Sequence, residues 1–526
     1  MTAQAGAIAV LDRLLARGIR RFVLCPGSRS APLAYALREL ELHGTITLHV
    51  ETDERVAGFV ALGLAKASGI PAPVITTSGS AVANLHPASI EAYHSGIPFI
   101  ALTADRPVSM RGSGANQTTD QAGLLGPGLV GQIDLSADDA VESPAMLDSV
   151  LDKVWRGPVH VNLSFDNPLT PDSTSYPAPP SVGAFSDPAA EHEPITLDER
   201  PTVIIAGPGT PYSQILGRTG HGAVPILAEP AAAERGQGIA ASRIVAGEFD
   251  SLIERVIITG HPTLSRPITA LMSRSDIEVF AVDNDPVPTD PGRAATTLPV
   301  MPRLAPQKEW LQAWQRAGAA AHLAGRQALG DEFDALSVSA AISDAKGHWF
   351  LGASNIIRDI DLLAGEPQGT FHASRGLAGI DGTISTARGM AHLLGGIKVA
   401  VGDLTFIHDL GGLVLTKGQE EPPLDAVVID DAGGGIFATL EHGSRRYENT
   451  FDRVFRTAKS LDITAAARAF GWEGIDVASL SELNDLLNEA PARRVIRAAC
   501  ERTVEQVRAR RDAVSGAMAD AVRETM

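Results

Sequence analysis

The feature that most constrains this chain is a thrice-repeated alternation of short, wholly apolar runs with amphipathic stretches. Arg21-Phe22-Val23-Leu24-Cys25 is halted by Pro26-Gly27, and a helical stretch over 32–40 follows. Residues 45–50 read as the next strand, and 53–67 as a helix with Val56, Phe59, Val60, Gly63 and Leu64 on one side. Val74-Ile75-Thr76-Thr77, a helix through Tyr93 and a strand over 98–103 extend the pattern. Strands apolar on both faces and separated by helices belong to a parallel sheet covered on each side. The pattern returns at 202–206, 224–227, 256–259 and 277–282, with a helix over 310–329 leading out. In the last third, helix 354–363 precedes strand 370–373, helix 383–394 precedes strand 398–402, and Val427-Val428-Ile429 is another buried strand. A final helix from Arg502 carries Val507, Val514, Met518 and Ala521 on one face. Eight prolines between Pro168 and Pro201 mark a stiffened linker. The expected fold is therefore α/β, with three doubly wound parallel-sheet domains over 1–178, 196–330 and 335–526.

Charge narrows the ligands. With 44 Lys+Arg against 62 Asp+Glu in 526 residues, the net charge is -18. That balance repels phosphate backbones, so no nucleic-acid partner is expected, and an anionic ligand needs local arginines. Cys25 and Cys500, far apart, give no disulfide framework and favour a reducing, cytoplasmic setting. No apolar run approaches the ~18 residues of a membrane span. Ile8, Leu11, Leu14 and Leu15 form one helical stripe, which reads as a globular helix rather than a signal peptide. The 14 histidines show no zinc spacing, and Gly207-Pro208-Gly209 lacks a full dinucleotide fingerprint and reads as a turn.

The sharpest chemical signal lies in the last third. One strand ends in Gly402-Asp403-Leu404 and another in Asp430-Asp431-Ala432-Gly433-Gly434-Gly435. Carboxylates at the carboxyl ends of parallel strands stand where open α/β sheets bind ligands. Asp403 and Asp431 offer hard oxygen ligands to Mg²⁺, and the glycines let backbone groups approach a diphosphate. One such strand end is more often a helix cap. Two of them, one with three glycines, favour the metal–diphosphate reading.

This pair resembles the Gly-Asp-Gly and Asn-Asn motif of thiamine-diphosphate enzymes. The resemblance implies that Asp403, Asp431 and the Gly433 carbonyl bind Mg²⁺, with Mn²⁺ as an alternative. It further implies that Glu54, opening a helix after a strand, hydrogen-bonds the aminopyrimidine ring and promotes cofactor activation. Leu404 in place of glycine and Asp430-Asp431 in place of Asn-Asn are departures. Pro26-Gly27-Ser28-Arg29-Ser30, Ala104-Asp105-Arg106-Pro107, Gly114-Ala115-Asn116-Gln117, Arg375-Gly376, Gly379-Ile380-Asp381-Gly382 and Gly433 to Phe437 occur in that order. As an ordered set they resemble the MenD family, thiamine-diphosphate-dependent synthases of 2-succinyl-5-enolpyruvyl-6-hydroxy-3-cyclohexene-1-carboxylate. That likeness implies decarboxylation of 2-oxoglutarate and conjugate addition of the resulting carbanion to isochorismate, in menaquinone biosynthesis. It places Ser28, Arg29, Arg106 and Gln117 on the isochorismate side, and Ser354, Arg358 and Arg375 with the 2-oxoglutarate-derived adduct. Arg266 is a further substrate candidate. Ile380 would hold the cofactor bent, and Gly434, Ile436 and Phe437 would line its pocket. Ser374 and Ala353 stand where the family more often has Asn. A homodimer or homotetramer with the active site between chains is implied. Arginine's planar fork suits the carboxylates of both substrates. The alternatives are another thiamine-diphosphate 2-oxoacid decarboxylase or carboligase, such as an acetohydroxyacid synthase relative, and a non-catalytic subunit on the same fold.

Overall fold

The computed structural model describes residues 2–172, 176–177, 181–185, 192–209, 223–282, 287–363 and 365–526. Strands β1 (Arg21–Leu24), β2 (Thr47–Val50), β3 (Val74–Thr76), β4 (Phe99–Asp105), β5 (Gly131–Ser136) and β6 (Pro158–Ser164) form the first sheet. The middle sheet holds β7 (Thr202–Ala206), β8 (Ile226–Ala228), β9 (Arg255–Thr259), β10 (Glu278–Val282) and β11 (Thr296–Leu298). The last holds β12 (Gly347–Leu351), β13 (Gly369–Ala373), β14 (Ile397–Gly402), β15 (Leu424–Asp430), β16 (Glu473–Val477) and β17 (Arg493–Ala499). Among the described residues every pairing within these sheets is parallel. The three-sheet α/β expectation holds. The first and last sheets also share one strand order, β2-β1-β3-β4-β6-β5 against β13-β12-β14-β15-β17-β16.

Several strands lie outside the apolar pattern. β6 is buried throughout but carries His160 and Asn162; His160 pairs with Thr103, while Asn162 accepts from Thr103 and Gln121 and donates to Asp105 and Asp134. β5 and β16 are half-exposed edge strands and lack a continuous apolar run. The single helix expected through Tyr93 is two, Ser80–Ala83 and His86–His94. Pro87 sits in the first turn of the second, where its missing N–H costs nothing.

Within the chain, the first and last domains meet at a helix seam. Helix Glu54–Ser68 packs on helix Thr383–Leu394, and Val56–Ala65 and Thr383–Ala391 are buried continuously. The crossing is close: a Cβ on Gly63 would stand 2.0 Å from the Thr386 carbonyl, and one on Gly389 2.2 Å from that of Val60. Beside the helices, Glu51 and Arg388 form a buried ion pair. The Thr416 hydroxyl donates to the Val50 carbonyl at 2.9 Å, and the Val50 N–H donates to Gln419 at 2.8 Å.

The final helix, Val504–Arg523, turns back to pack on Lys308–Leu329, with Val514, Met518 and Val522 joining Trp314, Ala317 and Ala321 in one core. The described parts of the proline-rich linker are anchored. Tyr176 donates to Asp12 at 2.8 Å, the Gly183 N–H donates to Leu15, and Thr196 bridges Arg303. No helix among the described residues is long and apolar enough to cross a membrane.

Candidate active site

The last sheet builds an acidic turn at its carboxyl edge. β14 runs out at Gly402, and Asp403 opens helix Asp403–His408, where its carboxylate accepts the Leu404 N–H at 2.8 Å. β15 ends at Asp430, which Arg497 on the neighbouring β17 claims through a 2.6 Å hydrogen bond. Of the tandem aspartates, Asp431 is therefore the one left for a ligand. Gly433, with φ +123, turns the chain back where a side chain would strike the Arg456 carbonyl. A cavity of about 190 Å³ is lined by Asp403, Asp431, Gly433, Gly434, Ile436 and Phe437, together with Ser354 and Ile380. The structure thus gathers all eight of these predicted residues around one space.

Its electrostatics invite a cation. Burial pushes the Asp403 carboxyl up to about 6; the Leu404 and Gly433 N–H groups pull it down, and Asp430 adds to the rise. Burial, then Asp403 and Asp430, push Asp431 up to about 7, against the opposing charge of Arg456. Neither has an ion pair among the described residues, whereas Asp430 does. Two crowded carboxylates beside a glycine-rich turn fit a hard divalent ion. Among the described residues no cluster of three or more His, Cys, Asp or Glu side chains could hold a metal. A cation here would complete its shell from backbone carbonyl, water and diphosphate oxygens.

The first sheet offers the opposite chemistry. Asp53 caps helix Glu54–Ser68 through the Arg55 and Val56 N–H groups, which leaves the Glu54 carboxylate free to accept from Asn84 at 3.2 Å. Asn84 was not foreseen, since nothing in the local pattern links it to Glu54. Ser28 is exposed after β1, while Arg29 is buried, donating to the Phe165 carbonyl at 2.8 Å with its Nε unpartnered. Burial and the nearby Arg106 guanidinium lower the Arg29 pKa. Arg106 donates twice to the Asn116 carbonyl, and Gln117 donates to the Ser78 carbonyl at 2.8 Å. These four candidates therefore share the carboxyl edge of β1, β3 and β4.

A third group sits toward the middle sheet. Arg358 donates to the Ser354 carbonyl at 2.8 Å, and burial and Arg375 both disfavour its charge. Arg375, 3% exposed, donates to Thr263 while its Nε and Nη1 stay buried and unpartnered. Arg266 is placed apart: 75% exposed, its side chain is paired with Glu441 at 2.7 Å.

Residues 4–124 match the model of the thiamine pyrophosphate enzyme N-terminal TPP binding domain, and residues 360–497 that of the C-terminal TPP binding domain. The 2-succinyl-5-enolpyruvyl-6-hydroxy-3-cyclohexene-1-carboxylate synthase of Arthrobacter sp. (strain FB24) is 42% identical, over 92% of this chain and 86% of the relative. That of Kineococcus radiotolerans is 39% identical over 98% and 99%, and that of Mycobacterium avium 36% over 94% and 96%. The chain belongs to this synthase family. The two family-model matches coincide with the two edges described above. The first spans Ser28, Arg29, Glu54, Arg106 and Gln117, and the second Arg375, Ile380, Asp403, Asp431, Gly433, Gly434, Ile436 and Phe437. Ser354 and Arg358 lie just before the second, and Arg266 lies outside both.

Proposed function

We propose that the chain is a thiamine-diphosphate-dependent transferase that decarboxylates 2-oxoglutarate and joins the four-carbon remainder to isochorismate. The product is 2-succinyl-5-enolpyruvyl-6-hydroxy-3-cyclohexene-1-carboxylate. The observation that carries the reading is the pairing of an uncompensated acidic turn, Asp403 with Asp431, with buried arginines whose donors lack partners. Relatives at about 40% identity over most of the chain favour it over an acetohydroxyacid synthase relative.

Thiamine diphosphate, when bound, supplies a carbon acid that adds to a keto carbonyl and stores the electron pair released with CO₂. Asp403, Asp431 and the Gly433 carbonyl would hold Mg²⁺, or Mn²⁺, against the diphosphate, with Gly434, Ile436 and Phe437 lining the pocket and Ile380 bracing the cofactor's shape. Glu54 would bond the aminopyrimidine and bias its proton position. Arg358 and Arg375, with Ser354, would grip 2-oxoglutarate carboxylates. Ser28, Arg29, Arg106 and Gln117 would receive isochorismate, and Arg266 is retained as a peripheral substrate contact. Fixed guanidinium groups around two dianions make orientation and charge stabilisation the main work of the protein. In this reading Glu54 of one protomer serves the acidic turn of its partner, which calls for a homodimer or homotetramer. Buried, unbridged Cys25 and Cys500 fit a cytoplasmic location. The test is purified protein with Mg²⁺, thiamine diphosphate and both substrates. CO₂ release from 2-oxoglutarate and formation of the adduct are expected; a protein that releases CO₂ from pyruvate but not from 2-oxoglutarate overturns the assignment.

A further inference from the structure

Arg375 stands where all three sheets meet, and the other two hold it. Its Nη2 donates to the Thr263 carbonyl at 3.2 Å and hydroxyl at 3.0 Å, both on the turn after β9 of the middle sheet. That turn is itself tied down from beneath: the Leu264 N–H donates to Glu229 at 2.6 Å. Glu229, 6% exposed, follows β8, and its other oxygen has no hydrogen-bond partner. On the opposite side, Glu91 of helix His86–His94 in the first domain accepts the Gly376 N–H at 2.8 Å and the Leu377 N–H at 2.7 Å. A Cβ on Gly376 would approach the Glu91 carbonyl to 2.7 Å, so the segment lies hard against that helix.

Arg375 and Arg358 repel each other, and Asp361 and Glu229 lie close enough to act on the cluster as compensating charge. Holding the buried Arg375 beside the half-buried Arg358 is costly unless carboxylates offset them. Having done so, the arrangement leaves Nε and Nη1 of Arg375 buried without a hydrogen-bond partner among the described residues. Each of these free donors can give a charge-assisted hydrogen bond to a carboxylate oxygen.

We infer that Glu229 and Thr263 of the middle domain, with Glu91 of the first, are positioning residues that fix the Arg375 guanidinium for a 2-oxoacid carboxylate. The inference rests on the proposed function and gives the middle domain a task within it. None of the three touches substrate. Glu229 acts through the 263–264 turn, and Glu91 through the 376–377 backbone.

The experiment measures the KM for 2-oxoglutarate, the KM for isochorismate and the Kd for thiamine diphosphate with Mg²⁺ in T263V, E229A, E229Q and E229L. Loss of the turn's anchor in E229A should raise the 2-oxoglutarate KM roughly 10-fold, leaving the isochorismate KM and the cofactor Kd within about twofold. E229Q keeps an acceptor for the Leu264 N–H and should recover most of that loss, whereas E229L, which fills similar space without an acceptor, should not. T263V, at an exposed position, should raise the same KM about threefold even if E229A fails to fold. Equal rises in all three constants, or a 2-oxoglutarate KM unmoved in T263V, overturn the inference. Wild-type protein inactive on 2-oxoglutarate overturns the underlying function instead, so the two failures are distinguishable.

Discussion

The first and last sheets follow the same path, and their loops carry reversed charge. After the second strand in sequence, the first sheet presents Glu54 and the last presents Arg375. After the fourth, the first presents Arg106 and the last Asp431. After the third, the neutral Ser78-Gly79 turn answers Asp403. The lesson is that strand order places a ligand at the carboxyl edge of each sheet, while short loops decide its charge. An acidic pair such as Asp403 and Asp431 suits a metal-bound diphosphate, and the basic loops suit carboxylates.

The sharpest way to break this comparison is to remove one half of the acidic edge. Asp403→Ala should lower metal-dependent cofactor affinity at least 100-fold, measured by titration calorimetry with Mg²⁺. Asp430→Ala, which removes the residue committed to Arg497, should have a far smaller effect. Equal losses would mean that the tandem aspartates act as a unit. On the opposite edge, Glu54→Gln should reduce turnover by about 10²- to 10⁴-fold, the range for a group that assists proton transfer. Its melting temperature should stay within a few degrees, because Asp53 and not Glu54 caps the helix. A variant that turns over normally removes Glu54 from the chemistry.

Much of this edge chemistry was legible in the chain. Asp403 and Asp431 follow largely apolar strands, so local pattern singled them out, whereas Glu54, which opens a helix after a strand, was singled out by the resemblance to thiamine-diphosphate enzymes. Glu91, Glu229 and Thr263 were not legible, because each bonds groups distant in sequence. Glu91 reaches residues 376 and 377 across 285 positions. Nor could the pattern separate Asp430 from Asp431; that needed β17, which delivers Arg497. Arg266 shows the reverse case, an arginine singled out in the sequence whose side chain is already paired at the surface.

The seam that joins the two edges sharpens the comparison at lower cost. Gly389→Ala inserts a methyl where the Val60 carbonyl stands 2.2 Å away, and overpacking of this kind costs about 1–3 kcal/mol. Gly247→Ala, in helix Ser242–Phe249 with nothing within 4 Å, should instead stabilise by roughly 0.5–1 kcal/mol. Chemical denaturation of both variants checks the contrast. Equal behaviour would show that the helix crossing yields more readily than its geometry implies.

A last, pH-dependent effect concerns two histidines at the same seam. His49 on β2 lies against His392 of helix Thr383–Leu394, ring centroids 4.3 Å apart, and neither His49 nitrogen has a hydrogen-bond partner among the described residues. Burial, with His392, Arg388 and Arg21 adding positive charge, holds the His49 pKa down to about 3. A depressed histidine contributes stability that is complete above its unfolded pKa, about 6.5, and is lost as pH falls toward the folded value. At pH 5 the loss from one such group is about 2 kcal/mol, at about 1.36 kcal/mol per pH unit. Glu51, beside it, works with the opposite sign: raised to about 7 by burial, it favours folding below about 4.5 and gives this up as pH rises through 7. The two partly cancel in the native protein between pH 5 and 6.5. His49→Leu sacrifices no hydrogen bond, so stability near pH 7.5 should hardly change. Removing the histidine leaves Glu51 unopposed, and denaturant unfolding at pH 5 should then find the variant about 2 kcal/mol more stable than the native chain. Parallel stability curves for the two proteins between pH 5 and 7.5 would show that His49 takes up its proton within the fold, and that the seam admits more water than its packing suggests.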